Sequence, residues 1–301
     1  MIKRCIMSFQ NRIRINRQVI LRRAWTCTGV AMTVLCFVAL FVPMTELIPE
    51  KCPIVCKVLI GCAAFLFLFV LLAFASAVRV LFTNKVCVLT KAGHHVYVQY
   101  GDVFSPKVVG KRYKGKRKIV IDVNRCFDTI VDDHLVSHNS LHGKLFQRFY
   151  DEKKFDEESL NKTIQDTLAG KPYQLLTTAV KPKGNLRRYE AGTIAELKDD
   201  DQVSYYLLGL SPFDENLNSD TDNSDLVNSV QRLIEFCYQR AQGYPVVLPL
   251  LGSGLSRTGL ELSEILHYLV SAFAINRNII NCDFHIVVWD KQKDLVPIDN
   301  L

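Results

Sequence analysis

Hydrophobic positions fall into two regimes along this chain. Residues 24–42 and 58–78 are continuous apolar runs without a charged side chain. Each is about 20 residues, the length that crosses a roughly 30 Å hydrocarbon core as a helix. Beyond Arg79 the apolar runs shorten and alternate with polar ones. Residues 85–90 and 94–100 are β-branched and aromatic, and the Ala92-Gly93 pair between them predicts a hairpin. Residues 119–123 form the short apolar run of a central parallel strand, and 192–197, 203–210, 246–251 and 283–289 read as further strands. Helical spacing marks 141–150, 159–168 with Ser159 as its cap, 226–242 and 263–275. This alternation predicts one α/β domain with a largely parallel or mixed sheet. The expected organisation is a basic arm over 1–23, a two-helix hairpin over 24–78 with its loop at 43–57, and a globular domain over 79–301.

Charge adds orientation. The formal net charge is +7, and residues 1–23 carry seven Lys and Arg with no acid, so the remainder balances. An excess placed directly before an apolar span is explained by the positive-inside rule rather than by nucleic acid, which is not expected as a partner. The loop 43–57 is neutral, with Glu46 and Glu50 against Lys51 and Lys57, whereas Arg79, Lys85 and Lys91 follow the second span. Both termini are therefore expected in the cytoplasm. The arm is expected either to lie on anionic headgroups or to be a disordered topogenic tail. The length of the first run, and the second span after it, argue against a cleaved signal.

The spans hold no acid or histidine, which argues against a transporter. Ala73 and Ala77 form a small-xxx-small pair that allows close helix approach. Ten cysteines include no CxxC pair, against structural zinc or a thioredoxin-like site. Cys52 and Cys56 face outward on this topology, either free or paired.

In open α/β sheets, ligands bind beyond the carboxyl ends of the strands. Two junctions stand out. After 246–251 comes Gly252-Ser253-Gly254-Leu255-Ser256-Arg257 and then a helix, a backbone suited to phosphate with Arg257 as an added contact. It is not a Walker loop, since no Gly-Lys-Ser/Thr follows, and a plain turn is the alternative. After 121–123 come Asn124, Asp128, Asp132, Asp133, His134, His138, Ser140, Leu141, His142 and Gly143. Three histidines and paired aspartates invite a metal, but Ser, Asn and Gly make the stretch a loop, and no metal is expected. Asn124 and the 139–143 turn more simply line a nucleotide pocket, with the following helix presenting its N-terminus. The basic stretch 107–118 reads as a solvated loop, and 211–225, with five acids, as an exposed one. No Cys–His or Ser–His arrangement nominates a nucleophile.

Gly101-Asp102 after a strand, Val123-Asn124 ending another, and the 249–257 glycine loop resemble a macro domain. Phe127-Asp128-Thr129, Asn139-Ser140-Leu141-His142-Gly143, 205–210 with Phe213-Asp214, and Pro249-Leu250-Leu251-Gly252-Ser253-Gly254 resemble one bacterial branch. That branch is the macro-domain effector of Thoeris antiphage defence, in its form with two N-terminal transmembrane helices. The resemblance spans roughly 85–290 and the hairpin, and implies a macro-like three-layer domain. By position, Asp102 with Val103 would recognise adenine. Asn124, Asp128 and 140–143 would face the distal ribose, and 252–257 would cradle the diphosphate. The glycine triplet of many hydrolytic macro domains is absent after the Asn124 strand, which favours sensing over catalysis; Asp132, Asp133 or His142 would then select the ligand's distal group.

The resemblance further implies an ADP-ribose-type ligand, such as an ADP-ribose–amino-acid conjugate, made by a TIR-domain enzyme that consumes NAD. An inner-membrane protein in contact with lipid and without a cofactor is expected. Only about six residues separate the second span from the first strand, so a ligand that binds the oligomer better is expected to gather the hairpins as homo-oligomers and disrupt the membrane. The competing expectations are a membrane-tethered ADP-ribosyl hydrolase and a scaffold that binds no nucleotide.

Overall fold

A computed structural model describes residues 2–41, 53–212, 222–252 and 259–301, and of residues 2–8 the backbone alone. The expectations for loop residues 43–52, for Phe213 and Asp214, and for Ser253, Gly254, Leu255, Ser256 and Arg257 lie outside the described residues. The chain divides into a helical unit, residues 1–84 with 293–300, and an α/β unit, residues 85–292 with Leu301. The division therefore falls at Lys85 rather than at Arg79.

In the helical unit, α1 spans Ile2–Ile15, α2 Arg17–Ala39 and α3 Ile54–Phe82. The last two are long and apolar enough to cross a membrane. Trp25 of α2 meets Phe65 and Phe69 of α3 edge-on, with ring centroids 5.9 and 6.1 Å apart. The arm is helical, and one of its arginines is committed inward. Arg12 donates to the Val80, Leu81 and Thr83 carbonyls at the end of α3, at 2.9, 2.8 and 3.2 Å. A cation there satisfies carbonyls that have no intrahelical partner. Segment 293–300 packs in the same unit: Val296 and Ile298 are buried, and Arg23 donates to the Asp299 carbonyl at 2.9 Å.

The α/β unit is built on a seven-stranded sheet in the order β1-β2-β9-β8-β3-β7-β6. These are Lys85–Lys91, His94–Gly101, Phe284–Trp289, Val246–Pro249, Arg117–Asn124, Val203–Ser211 and Thr193–Lys198. β2, β9, β8, β3 and β7 are parallel; β1 and β6 are antiparallel edges. The Ala92-Gly93 turn has positive φ at both residues, the geometry of a two-residue hairpin. β7 is buried along its whole length, as a strand covered on both faces must be.

Helices α4 (Leu141–Asp151) and α5 (Glu157–Thr167) cover one face through Leu145, Phe146, Phe149, Leu160 and Ile164, packed on Ile119, Ile121, Tyr205 and Leu207. α6 (Asn223–Arg240) and α7 (Leu262–Ile275) cover the other, with Phe236 against Tyr206 and Phe273 against Phe284. The result is the expected three-layer arrangement.

Three expectations change. The cap of α5 is Asp156, while Ser159 stands at its third position and completes a capping box. The basic stretch 107–118 is not a solvated loop throughout. It forms two short 3-10 turns, Pro106–Val109 and Lys111–Tyr113, and ends with Arg117 and Lys118 buried in β3. Lys118 Nζ lies 3.0 Å from Glu196 Oε1. Finally, an additional hairpin, β4 (Tyr173–Leu175) with β5 (Arg187–Tyr189), stands apart from the main sheet.

Candidate functional site

The strand order brings the nominated junctions to one edge. β2, β9, β8 and β3 are consecutive parallel neighbours, so the residues after their carboxyl ends line up: Asp102 and Val103 after β2, Gly252 shortly after β8, Asn124 closing β3. Three inter-strand steps of about 4.8 Å place the Asp102 and Asn124 positions about 14 Å apart. Asp102 is exposed, and its Oδ1 accepts from Phe104 N at 3.0 Å. The Val103 side chain belongs to the core with Val108, Val109, Val247 and Val287, so its backbone is what it offers this edge. Gly252 has φ +76°, a left-handed turn that suits glycine.

At the end of β3 the chain makes a tight loop. Asn124 Oδ1 accepts from the backbone N–H groups of Cys126 and Asp128 at 3.0 and 3.3 Å. Phe127 adopts φ +53°, strained for a residue with a Cβ, and its buried ring packs edge-on against Tyr189. Asp128 is buried, and its Oδ1 accepts from Lys181 Nζ at 2.9 Å and from Asn185 N at 2.6 Å. Burial pushes the Asp128 carboxyl pKa up, and Lys181 opposes that shift.

The N-terminal turn of α4 rests on this loop. Ser140 Oγ accepts from Gly143 N at 2.9 Å and donates to the Ser137 carbonyl at 2.7 Å. A Cβ on Gly143 would stand 2.1 Å from that carbonyl oxygen, so the glycine there serves close packing. Leu141 packs against both the Phe127 and the Val103 clusters. His142 is buried over Phe146, with centroids 4.5 Å apart, and hydrogen-bonds the Asp128 backbone. Desolvation lowers its pKa to about 3, so the ring is neutral at physiological pH.

Among the described residues, three buried polar atoms here have no hydrogen-bond partner: Asn124 Nδ2, Asp128 Oδ2 and His142 Nε2. They are a donor, a carboxylate oxygen and, on a neutral ring bonded through its other nitrogen, an acceptor. Native structures leave few such groups unpaired. On the outer side of the loop, a cleft of about 290 Å³ is lined by Asp128, Thr129, Ile130, Glu157, Glu158, Asn161, Gly184 and Asn185.

Other nominated groups are committed elsewhere. Asp132 accepts from Lys183 Nζ and from His134 N and Leu135 N, which together hold its pKa down to about 2 against desolvation. Asp133 holds His138 at 2.9 Å. Both tie the 132–138 loop together through these contacts. α7 begins at Leu262 with Glu261 and Glu264 in a capping box. Its start lies within one residue of the expected 263, and the Glu264 carboxylate accepts from Glu261 N at 2.9 Å. Asp225 of the acidic stretch pairs with Arg125 at 3.1 Å. Among the described residues no three His, Cys, Asp or Glu converge as a metal site.

Sequence reasoning missed Trp289, Lys181, Asn185 and Asn161. Trp289 ends β9 in register with Gly101, next to Asp102, and is 47% exposed. Lys291 and Lys144 approach its ring at 4.8 and 5.6 Å. A large aromatic closing a strand on the candidate edge was the available signal.

A 26% identical relative, matched over 259 residues, is the Thoeris protein ThsA of Bacillus amyloliquefaciens (strain Y2), covering 85% of this chain and 79% of that one. Among solved structures, a protein from Bacteroides thetaiotaomicron is 11% identical with a TM-score of 0.37, over 63% of this chain and 97% of that one. A macrodomain protein from Streptomyces coelicolor is 10% identical with a TM-score of 0.31, over 64% and 96%. The family model of the Thoeris protein ThsA macro domain matches residues 96–289, which run from β2 to the end of β9, and the chain belongs to that family.

Proposed function

We propose that this chain is a membrane-anchored receptor of Thoeris antiphage defence that binds an ADP-ribose-type nucleotide along the carboxyl edge of its sheet. The observation that carries the reading is the trio of buried, unpartnered atoms on Asn124, Asp128 and His142. A donor and acceptors with no protein partner suit the hydroxyls of a ribose. About 14 Å along the same edge, exposed Asp102 and the indole of Trp289 offer a carboxylate and an aromatic face to a base. Gly252, just beyond β8, lies between them, where the diphosphate belongs.

The receptor is not an enzyme on this reading: the residues around Asn124 bind and orient, and none is placed as a nucleophile. Its signal is an ADP-ribose derivative, free or joined to an amino acid, released by a TIR-domain enzyme from NAD. The two apolar helices anchor it in the inner membrane with both termini in the cytoplasm. Ligand shifts an equilibrium toward homo-oligomers only through its higher affinity for the assembled state, and gathered hairpins disturb the bilayer.

The test is thermal stabilisation of the full chain in detergent by ADP-ribose, NAD, cyclic ADP-ribose and ADP-ribose–amino-acid conjugates. A ligand at 100 times its Kd contributes about 2.7 kcal/mol. A shift that disappears in Asn124→Ala supports the receptor. No shift with any of them removes it. Membrane potential retained in cells that hold both protein and a binding ligand would remove the effector step alone.

A further inference from the structure

We infer that Lys181 and Asn185 are positioning residues that aim the Asn124 amide at the distal ribose, and so set the preference for ligands carrying that sugar. The inference rests on the receptor reading above. Neither residue touches the edge itself. Both act through the loop between Asn124 and Asp128.

The Lys181 ammonium is fully buried, and its three protons have acceptors: Asp128 Oδ1 at 2.9 Å, the Lys183 carbonyl at 2.8 Å and the Asn185 carbonyl at 2.9 Å. Asn185 adds its own N–H to the same Asp128 oxygen at 2.6 Å. Its side-chain amide donates to the Cys126 and Phe127 carbonyls at 3.2 and 3.1 Å and to Asn161 Oδ1 at 2.9 Å. Segment 181–185 therefore grips this loop at three acceptors. The loop in turn fixes Asn124, because the Cys126 and Asp128 N–H groups hold its Oδ1 and leave Nδ2 as the free end.

Two features argue that this lock does more than fill space. A buried ion pair is a poor route to stability, since apolar residues of similar volume often serve as well. Moreover, the grip falls on the strained residue: Phe127 holds φ +53°, and one Asn185 bond ends on its carbonyl. A left-handed turn at a bulky residue persists where its surroundings over-determine it. Gly184 fits the same purpose. Its φ is +82°, and a Cβ there would stand 2.2 Å from Asp128 Oδ1 and 2.8 Å from Lys181 Nζ.

The experiment is calorimetric titration of the full chain in detergent with two probes, ADP-ribose and ADP, below the melting point of every variant. ADP lacks the distal ribose. Lys181→Met is expected to weaken ADP-ribose about tenfold or more and to leave ADP within about twofold. Combined with Asn124→Ala it should add little, because the two changes act on one contact. Asn185→Ala keeps the ion pair and gives the same selective loss, so it carries the test if Lys181→Met does not fold. Equal affinities in variants and parent would overturn the lock, as would losses that multiply with Asn124→Ala. ADP bound as tightly as ADP-ribose by the parent would also overturn it. A parent that binds neither probe defeats the receptor reading first, and the lock with it.

Discussion

Two buried histidines predict how the α/β unit responds to acid. His142 is buried in the first turn of α4, and His285 of β9 stacks on Tyr97 with its Nδ1 3.4 Å from Gln99 Nε2. Desolvation lowers both pKa values to about 3; for His285, nearby Lys85 lowers it further while Asp283 opposes. In the unfolded chain both rings titrate near 6.5, so below that pH the unfolded state binds more protons than the native one. Stability is then fully present above about pH 6.5 and falls with pH through the window down to about 3. Each ring contributes about 1.4 kcal/mol per pH unit there, or about 2.7 kcal/mol for the pair. For a unit of this size that is roughly 5–11 °C in Tm per pH unit. The raised pKa of Asp128 has the opposite sign: its stabilisation is full below the unfolded carboxylate value and is lost as pH rises through the folded one. The assay is therefore a difference: Tm of the full chain between pH 6 and 4.5 against that of His142→Gln and His285→Gln. Each variant should lose about half of the acid slope, whatever its stability at pH 7. An unchanged slope in both would refute the burial argument.

Trp289→Ala should weaken ADP-ribose by about 10- to 100-fold, the worth of one base stacked on an aromatic face, read by calorimetry. Gly184→Ala forces a Cβ into the Asp128–Lys181 pair at a left-handed position and should cost about 2–4 kcal/mol by denaturant titration; a neutral result would mean that the 181–185 turn yields freely. Asp156→Ala removes the α5 cap and should cost about 1 kcal/mol, while Ser159→Ala should cost less, since Ser159 is the cap's partner and not the cap.

Much of the fold was legible because it depends on local signals. The two apolar spans, the Ala92-Gly93 turn and the buried central strands declare themselves by length, φ demand and composition. The cap of α5 did not, because Asp156 and Ser159 are both good caps and the apolar spacing starts only at Leu160. Arg117 and Lys118 misled for a different reason: charge reads as solvated, and the partner that admits Lys118 to β3, Glu196, lies 78 residues away. Of the candidate site, the positions of Asp102, Asn124 and Gly252 at strand ends were visible in the sequence. Lys181 and Asn185 were not, since their common partner Asp128 is 53 and 57 residues distant, and no periodicity encodes such a pairing. β4 and β5 are three residues each, too short to carry a pattern.

Local rules are broken in several ways around the single loop from Asn124 to Asp128. A non-glycine residue takes a left-handed conformation, an aspartate and a lysine are buried together, and unpaired polar atoms sit on the loop and on the turn packed against it. Each feature costs free energy, and a sequence selected for stability alone has cheaper choices: an apolar pair for Asp128 and Lys181, phenylalanine for His142. Within the same unit the strands that surround the loop follow the rules, with β7 wholly buried and β3 apolar through its centre. Such violations are retained where geometry matters more than stability. Their convergence on the carboxyl end of β3, the strand end already favoured by topology, is the ground on which we propose that this loop sets ligand specificity.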